Sequence, residues 1–307
     1  MLITGGFGYL GSRLAQYYRE QGQQVRILSR RRPAYLDDWA KDFDVRLADV
    51  KDSQSLVGCC DGVDVVVHTA AADEILSAEN ELEALLVNGY GTKNMADEAA
   101  RAHVGHFVYF STFHAYGPVE GTITEDILPR PAHSYGLTHL VGEYYLSMVS
   151  RRSDLTATAL RISNGYGAPV SAGIPRWTLV INDFCRAAHA EGRIVINSSG
   201  RQHRDFVAIA DICQAVNLVA PRRNGAFEVY NLGGADSRSI LDIAHVVQGV
   251  YAKRYGAQID VIVKGADEGR LNPVDYSIEK LKSLGYRPED RLAGEVNKIF
   301  ELLERTA

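Results

Sequence analysis

Thr4-Gly5-Gly6-Phe7-Gly8-Tyr9-Leu10-Gly11 is the stretch on which the reading of this chain turns. Ahead of the glycines, Met1-Leu2-Ile3-Thr4 has the apolar character of a short strand. Behind them, Leu10, Leu14, Ala15 and Tyr18 recur at helical spacing as far as Gln21. Strand, glycine turn and helix form the context in which such spacing carries meaning. Gly5 allows the tight turn, Gly8 lets the backbone approach a pyrophosphate, and Gly11 lets helix and strand pack closely. The helix N-terminus then offers unpaired N–H groups to phosphate. The turn, with Phe7, Tyr9 and Leu10 between its glycines, predicts a bound dinucleotide.

The next strand, Val25-Arg26-Ile27-Leu28, ends in Ser29-Arg30-Arg31-Arg32. Enzymes that use NAD place a carboxylate near this point, about 20 residues beyond the motif, to bond the ribose 2′-hydroxyl. Here no carboxylate follows the strand. Guanidinium forks suit a 2′-phosphate, which they bond through two N–H groups at once. Ser29, Arg30 and Arg31 therefore favour NADP(H) over NAD(H).

Farther along, strand-like and helix-like runs alternate. Val25–Leu28, Val45–Leu47, Val63–His68, His106–Ser111 and Thr156–Ile162 read as strands, and Leu82–Arg101 and Tyr135–Arg151 as helices. Continuous apolar strands separated by helices predict a parallel sheet covered on both faces. After Asn164 glycine, proline and loop signals increase, with short strands at Arg193–Ile196 and Glu228–Leu232. The expected fold is α/β, a Rossmann-type doubly wound parallel sheet with a smaller C-terminal substrate-binding lobe. Residues 1–165 form the dinucleotide-binding domain, with chain returning around 205–235; 166–204 and 236–307 form the lobe. Ligands are expected in the crevice outside the carboxyl ends of the strands.

Composition narrows the class. A chain of 307 residues supports a substantial core, and its net charge of −5 points to neither a nucleic-acid nor a membrane surface. No apolar run approaches the roughly 20 residues of a membrane span. Met1 leads directly into the first strand, so no signal peptide is expected. Cys59, Cys60, Cys185 and Cys213 lack paired metal-ligand spacing and read as reduced thiols of a cytoplasmic protein without a metal site.

Further segments fall in a recognisable order. They are Asp49-Val50, His68-Thr69-Ala70-Ala71, Asn88-Gly89-Tyr90-Gly91-Thr92 and Ser111-Thr112-Phe113-His114-Ala115-Tyr116-Gly117. Tyr135-Gly136-Leu137-Thr138-His139, Leu160 to Gly167, Arg204-Asp205-Phe206-Val207, Tyr230-Asn231-Leu232-Gly233 and Leu284-Gly285-Tyr286 follow. In this order the chain resembles, over nearly its full length, an extended short-chain dehydrogenase/reductase of the NAD(P)-dependent nucleotide-sugar epimerase/dehydratase family. The resemblance implies that Asp49 and Val50 contact adenine. It places Thr69, Ala70, Ala71 and Asn88 around the cofactor, and Thr112 and Tyr135 at the reacting carbon. It also implies that Asn164 touches the sugar nucleotide and that Arg204 and Arg270 bind its diphosphate. Family members commonly dimerise through two helices, matched here by Leu82–Arg101 and Tyr135–Arg151, so a homodimer is expected.

The chemistry requires a proton to move at a sugar oxygen and a hydride at the adjoining carbon. Tyr135 is the candidate acid/base, with Thr112 orienting the same oxygen. A free tyrosine titrates near ~10 and needs a nearby cation to act as a base at neutral pH. The family places a lysine one turn after the tyrosine; here that position is His139. It lies on the right helix face to meet the cofactor ribose, but an unperturbed histidine titrates near ~6.5. If protonated His139 assists Tyr135, activity should vary with pH in the histidine range. Phe113 and His114 stand where family dehydratases carry two carboxylates, which argues against 4,6-dehydration. His114 is a further candidate acid/base. The expected function is epimerisation of a nucleotide-activated sugar through a transient ketone, or reduction of a keto-sugar. A reductase of another carbonyl compound and a non-catalytic binding protein stay as alternatives, the second because of His139.

Overall fold

The computed structural model describes residues 1–235, 237–266 and 274–305. Its strands are β1 (Leu2–Thr4), β2 (Arg26–Ser29), β3 (Asp44–Leu47), β4 (Val65–His68), β5 (His106–Thr112), β6 (Gly121–Ile123) and β7 (Thr156–Ile162). Then come β8 (Asn164–Tyr166), β9 (Arg193–Ile196), β10 (His203–Ala208), β11 (Phe227–Leu232), β12 (Ser237–Ser239), β13 (Asp260–Val263) and β14 (Val274–Tyr276). The helices are α1 (Tyr9–Glu20), α2 (Asp37–Ala40), α3 (Glu74–Glu79), α4 (Glu81–Ala84), α5 (Gly91–Arg101) and α6 (Ser134–Arg151). They continue with α7 (Val180–Glu191), α8 (Ile209–Val219), α9 (Ile240–Tyr255), α10 (Glu279–Lys282) and α11 (Leu292–Glu304).

Seven strands form one parallel sheet in the order β11-β7-β5-β4-β1-β2-β3. The chain leaves β1 toward one edge and returns through β4 toward the other. This reversal opens a crevice beyond the carboxyl ends of β1 and β4. β5 and β7 are buried at every position, with His106, Thr156, Thr158 and Arg161 enclosed among their apolar residues. One face of the sheet packs Ile3, Val67, Val108 and Leu160 against Leu14 of α1 and Ile212 and Val216 of α8. The other packs Leu2, Val66, Phe107 and Ala157 against Met95 of α5 and Leu146 and Val149 of α6.

A third core gathers α7, α9 and α11 around β9 and β10, with Phe184, Ile194, Phe206, Ile243 and Phe300 inside. β8, β10 and β12 make a three-stranded sheet there; β9 pairs with β13, and β6 with β14. β11 returns to the edge of the main sheet beside β7, whereas β10 pairs with β8 and stays outside it. The helix expected over Leu82–Arg101 is observed as α4, a π-helical turn at Leu85–Tyr90, and α5. Such wide turns recur at functional sites.

Candidate active site

A cavity of about 550 Å³ runs along the carboxyl ends of β1, β4, β5 and β7, walled on its far side by residues 174–182, Arg204 and Phe206. Its floor begins at the glycine turn. Gly5 adopts φ +63°, a conformation that L side chains rarely take. A Cβ on Gly11 would stand 2.3 Å from the Gly5 carbonyl oxygen, so helix and strand close together only without a side chain there. No side chain caps the N-terminus of α1. An uncapped helix end beside a cradle that a Cβ would fill suits a pyrophosphate.

Gly5, Gly8, Tyr9, Leu10, Gly11, Thr69 and Ala71 line the cavity. Phe7 does not: it is 6 % exposed and meets Trp39 edge-on in the core. Asn88 is also behind the wall. Its side chain accepts from the Ala72 N–H at 2.6 Å and donates to the Ala72 carbonyl at 3.2 Å and to Thr138 Oγ1 at 3.0 Å. Asn88 thus shapes the 69–73 loop from beneath, and the π-helical turn carries it there. Ala70 sits in that loop, its N–H donated to Thr4 Oγ1. Ser29 ends β2 and Arg31 is exposed. The Arg30 guanidinium lies 3.9 Å from Glu83, which Lys51 holds at 2.8 Å; Arg32 pairs with Asp37. Asp49 accepts the Lys51 N–H, and Val50 is buried. None of Ser29, Arg30, Arg31, Asp49 and Val50 lines the cavity.

Thr112 ends β5 and Tyr135 lies in the first turn of α6, so two elements bring these residues, 23 positions apart in the chain, to the wall of the same cavity. Their alignment is secured by a buried ion pair. Arg161 of β7 donates to both oxygens of Glu143 on α6, at 2.9 and 2.6 Å, and Ser111 of β5 donates to the same carboxylate. Burial, reinforced by the charge of Glu74, pushes the Tyr135 phenol well above its ordinary value, and the Arg176 guanidinium opposes this. Arg176 reaches across the cavity mouth from the lobe to Asp73 at 3.0 Å and Glu74 at 3.3 Å.

His139 lies one turn beyond Tyr135, ring centroids 4.7 Å apart, and is stacked on Tyr109 of β5. The Tyr109 hydroxyl is 2.9 Å from His139 Nδ1, and Nε2 is buried without a partner. Burial drives the imidazole pKa down to about 3, and His114 adds to the shift. His139 is therefore neutral at ordinary pH and is not the cation that activates Tyr135. Where titration near neutral pH was expected of this ring, burial keeps it uncharged there. Its orphaned Nε2 at the cavity wall fits a ribose hydroxyl.

His114 also lines the cavity; burial, with His133 beside it, holds its pKa down to about 4. Arg204 and Asn164 line the lobe side, and the Asn164 amide donates to the Asp205 carbonyl at 2.8 Å. Arg270 lies outside the described residues. Asp73, Glu74, Arg176, Tyr109 and His133 were not singled out in the sequence. Only His133 carried a local signal, as the residue just ahead of a helix. The rest join the site through tertiary packing. Apart from the cavity, Cys59, Cys60 and Glu98 place ligand atoms within 4.8 Å of one another, but hydrogen bonds from Gly58 and Arg101 already engage both Glu98 oxygens.

A crevice at the sheet reversal, a glycine turn under it and a Tyr–Thr pair at one end define a dinucleotide-dependent enzyme scaffold. Residues 1–233 match the model of the NAD dependent epimerase/dehydratase family, and the chain belongs to that family. It is 28 % identical over 99 % of its length to a putative UDP-glucose 4-epimerase of Methanocaldococcus jannaschii, covering 98 % of that protein. It is 29 % identical to the UDP-glucose 4-epimerase of Corynebacterium glutamicum over 94 % of this chain and 91 % of that one. Among solved structures, MoeE5 in complex with UDP-glucose and NAD superimposes with a TM-score of 0.82 at 26 % identity, covering 99 % of this chain and 98 % of the other. The Thermotoga maritima UDP-glucose 4-epimerase shares the fold with a TM-score of 0.84 at 23 % identity, over 99 % and 98 %.

Proposed function

We propose that this protein is an NAD(P)-dependent enzyme that epimerises a nucleotide-activated sugar through a transient keto-sugar. The observation that carries this reading is the juxtaposition of Tyr135 and Thr112 at one end of a cavity whose floor is the glycine turn. The bound dinucleotide supplies hydride transfer; Gly5, Gly8 and Gly11 hold its pyrophosphate and the His139 Nε2 bonds its ribose. Tyr135 exchanges a proton with the sugar oxygen, and Thr112 orients that oxygen. Arg204 and Asn164 hold the nucleotide end of the substrate. Relatives that span nearly the whole chain and act on UDP-sugars support this reading.

Reduction of a keto-sugar is a second reading, favoured by one observation. No lysine accompanies Tyr135, so the phenol stays protonated, which suits donation to a carbonyl better than removal of a hydroxyl proton. The absence of a carboxylate after β2 supports NADP(H) over NAD(H) as the preferred form, although several structural neighbours were solved with NAD. Exposed Leu82, Tyr90, Leu137, Tyr144 and Met148 on the α4–α6 face support a homodimer.

Incubation with NAD(H) or NADP(H) and UDP-glucose, UDP-glucuronic acid or UDP-N-acetylglucosamine, followed by mass and NMR analysis, tests the reading. An isobaric product formed with catalytic cofactor means epimerisation. Stoichiometric oxidation of NADPH with a 4-keto-sugar means reduction. Tight binding without product from any substrate would overturn both.

A further inference from the structure

We propose that His114 acts on the reacting sugar oxygen as a neutral N–H donor, and that His133 is the positioning residue that fixes its tautomer. The proposal rests on the reading of function above and adds two residues to its chemistry. The main-chain N–H of Gly136 can donate and cannot accept, and it points at His133 Nδ1 from 3.3 Å. His133 Nδ1 is therefore the acceptor, and the proton of the neutral ring sits on Nε2. That Nε2 lies 3.2 Å from His114 Nδ1. His133 donates, His114 Nδ1 accepts, and the proton of neutral His114 is placed on its own Nε2.

The order of donors and acceptors thus runs from the start of α6 to the cavity wall. Thr112 completes the mounting: its Oγ1 accepts the His114 main-chain N–H at 3.2 Å, so the hydroxyl and the imidazole are held to one another. The His114 ring centroid is 5.9 Å from that of Tyr135. A sugar oxygen held by Tyr135 and Thr112 is bordered by this third donor.

The groups facing His114 are His133, Tyr135, His139, Glu74 and Arg204. Burial, His133 and Arg204 together outweigh the attraction of Glu74, so the ring stays uncharged at neutral pH. A neutral imidazole N–H aimed where negative charge develops stabilises the transition state without moving a proton. Tyr135 remains the group that transfers the proton, and His114 keeps its own. His114 is thus a hydrogen-bond donor, in place of the further acid/base expected from its residue type.

Long-range nitrogen–proton correlation spectra of the imidazoles read the tautomer directly in the full-length protein without ligand. His114→Leu identifies the signal. The expected result at pH 7 is an Nε2–H tautomer for His114. In His133→Leu that preference is lost and the His114 titration moves upward; in His133→Gln, which keeps a side-chain donor, the tautomer is retained. An Nδ1–H tautomer or an imidazolium at His114, or a tautomer indifferent to His133→Leu, overturns the proposal. With UDP-glucose as substrate, His114→Leu should lower kcat about 10²-fold, the cost of one oxyanion donor, with KM little changed. An unchanged kcat overturns the role of His114. Failure of the native protein to convert any nucleotide sugar instead overturns the functional reading, and the spectra still decide the tautomer.

Discussion

Position 139 shows how much a single side chain decides here. A lysine would bring a permanent charge beside Tyr135; His139 brings a neutral ring with a pKa of about 3. Tyr135→Phe is expected to lower kcat by about 10²–10⁴-fold, the range for a general acid/base, while cofactor affinity measured by calorimetry stays near native. His139→Lys is expected to maintain or raise turnover near neutral pH, because its charge lowers the phenol pKa. Turnover profiles from pH 6 to 9 check this, and unchanged turnover in both variants would end the catalytic assignment. At the other end of the site, Arg30→Ala with Arg31→Ala should reduce a preference for NADP(H). Each charged hydrogen bond lost costs about 1.5–3 kcal/mol. Calorimetric titration showing equal or tighter NAD(H) binding by the native protein would refute that preference. The positions of these residues were largely legible in advance: Thr112, Tyr135, His139, His114, Asn164 and Arg204 all line the cavity. Phe7 and Asn88 were expected at the cofactor but face the core, because a motif marks a stretch of backbone and not the direction of each side chain.

Among the elements, α6 places Tyr135 and His139 at the cavity and Glu143 in the buried ion pair. Glu143 and Arg161 are each 4 % exposed. Removing one partner strands the other charge in the interior. Glu143→Ala should cost about 3–5 kcal/mol of stability and loosen Tyr135 against Thr112; Glu143→Gln, which preserves shape, should cost less. Thermal unfolding and kcat measured together check this, and a drop in kcat without loss of stability would contradict it. The central strands β1 and β4 were readable because burial leaves them almost wholly apolar. The π-helical turn at Leu85–Tyr90 was not, since it preserves the helical look of its sequence while changing the register.

For the molecule as a whole, three buried histidines and the half-buried His114 set the response to acid. Burial lowers His68 and His139 to about 3, and His106 and His114 to about 4. In the unfolded chain each titrates near ~6.5, so below that pH the unfolded state takes up protons that the native state refuses. Their contribution is intact above pH ~6.5 and is lost as the pH falls toward ~4. The Tm by calorimetry should drop across this window. His106→Gln, remote from the cavity, should flatten the drop; an unchanged slope would contradict its share. The apolar face of α4–α6 predicts a two-fold dimer, and light scattering at micromolar concentration giving a monomer mass would exclude it. Among the described residues no helix is long and apolar enough to cross a membrane.

The sequence by itself determined the parallel sheet and the glycine turn, which follow from local rules, namely a period set by burial and backbone freedom at glycine; Tyr135 and Thr112 were singled out by the family resemblance. Only the tertiary structure decided the charge states and the partners. His139 loses its proton because Tyr109 and the sheet bury it. Arg176 meets Asp73 and Glu74 from about a hundred residues away, and the His133–His114 order of donors exists because the start of α6 lands beside the end of β5. Desolvation and hydrogen-bond direction depend on what surrounds a group in space, and no short window of sequence contains that.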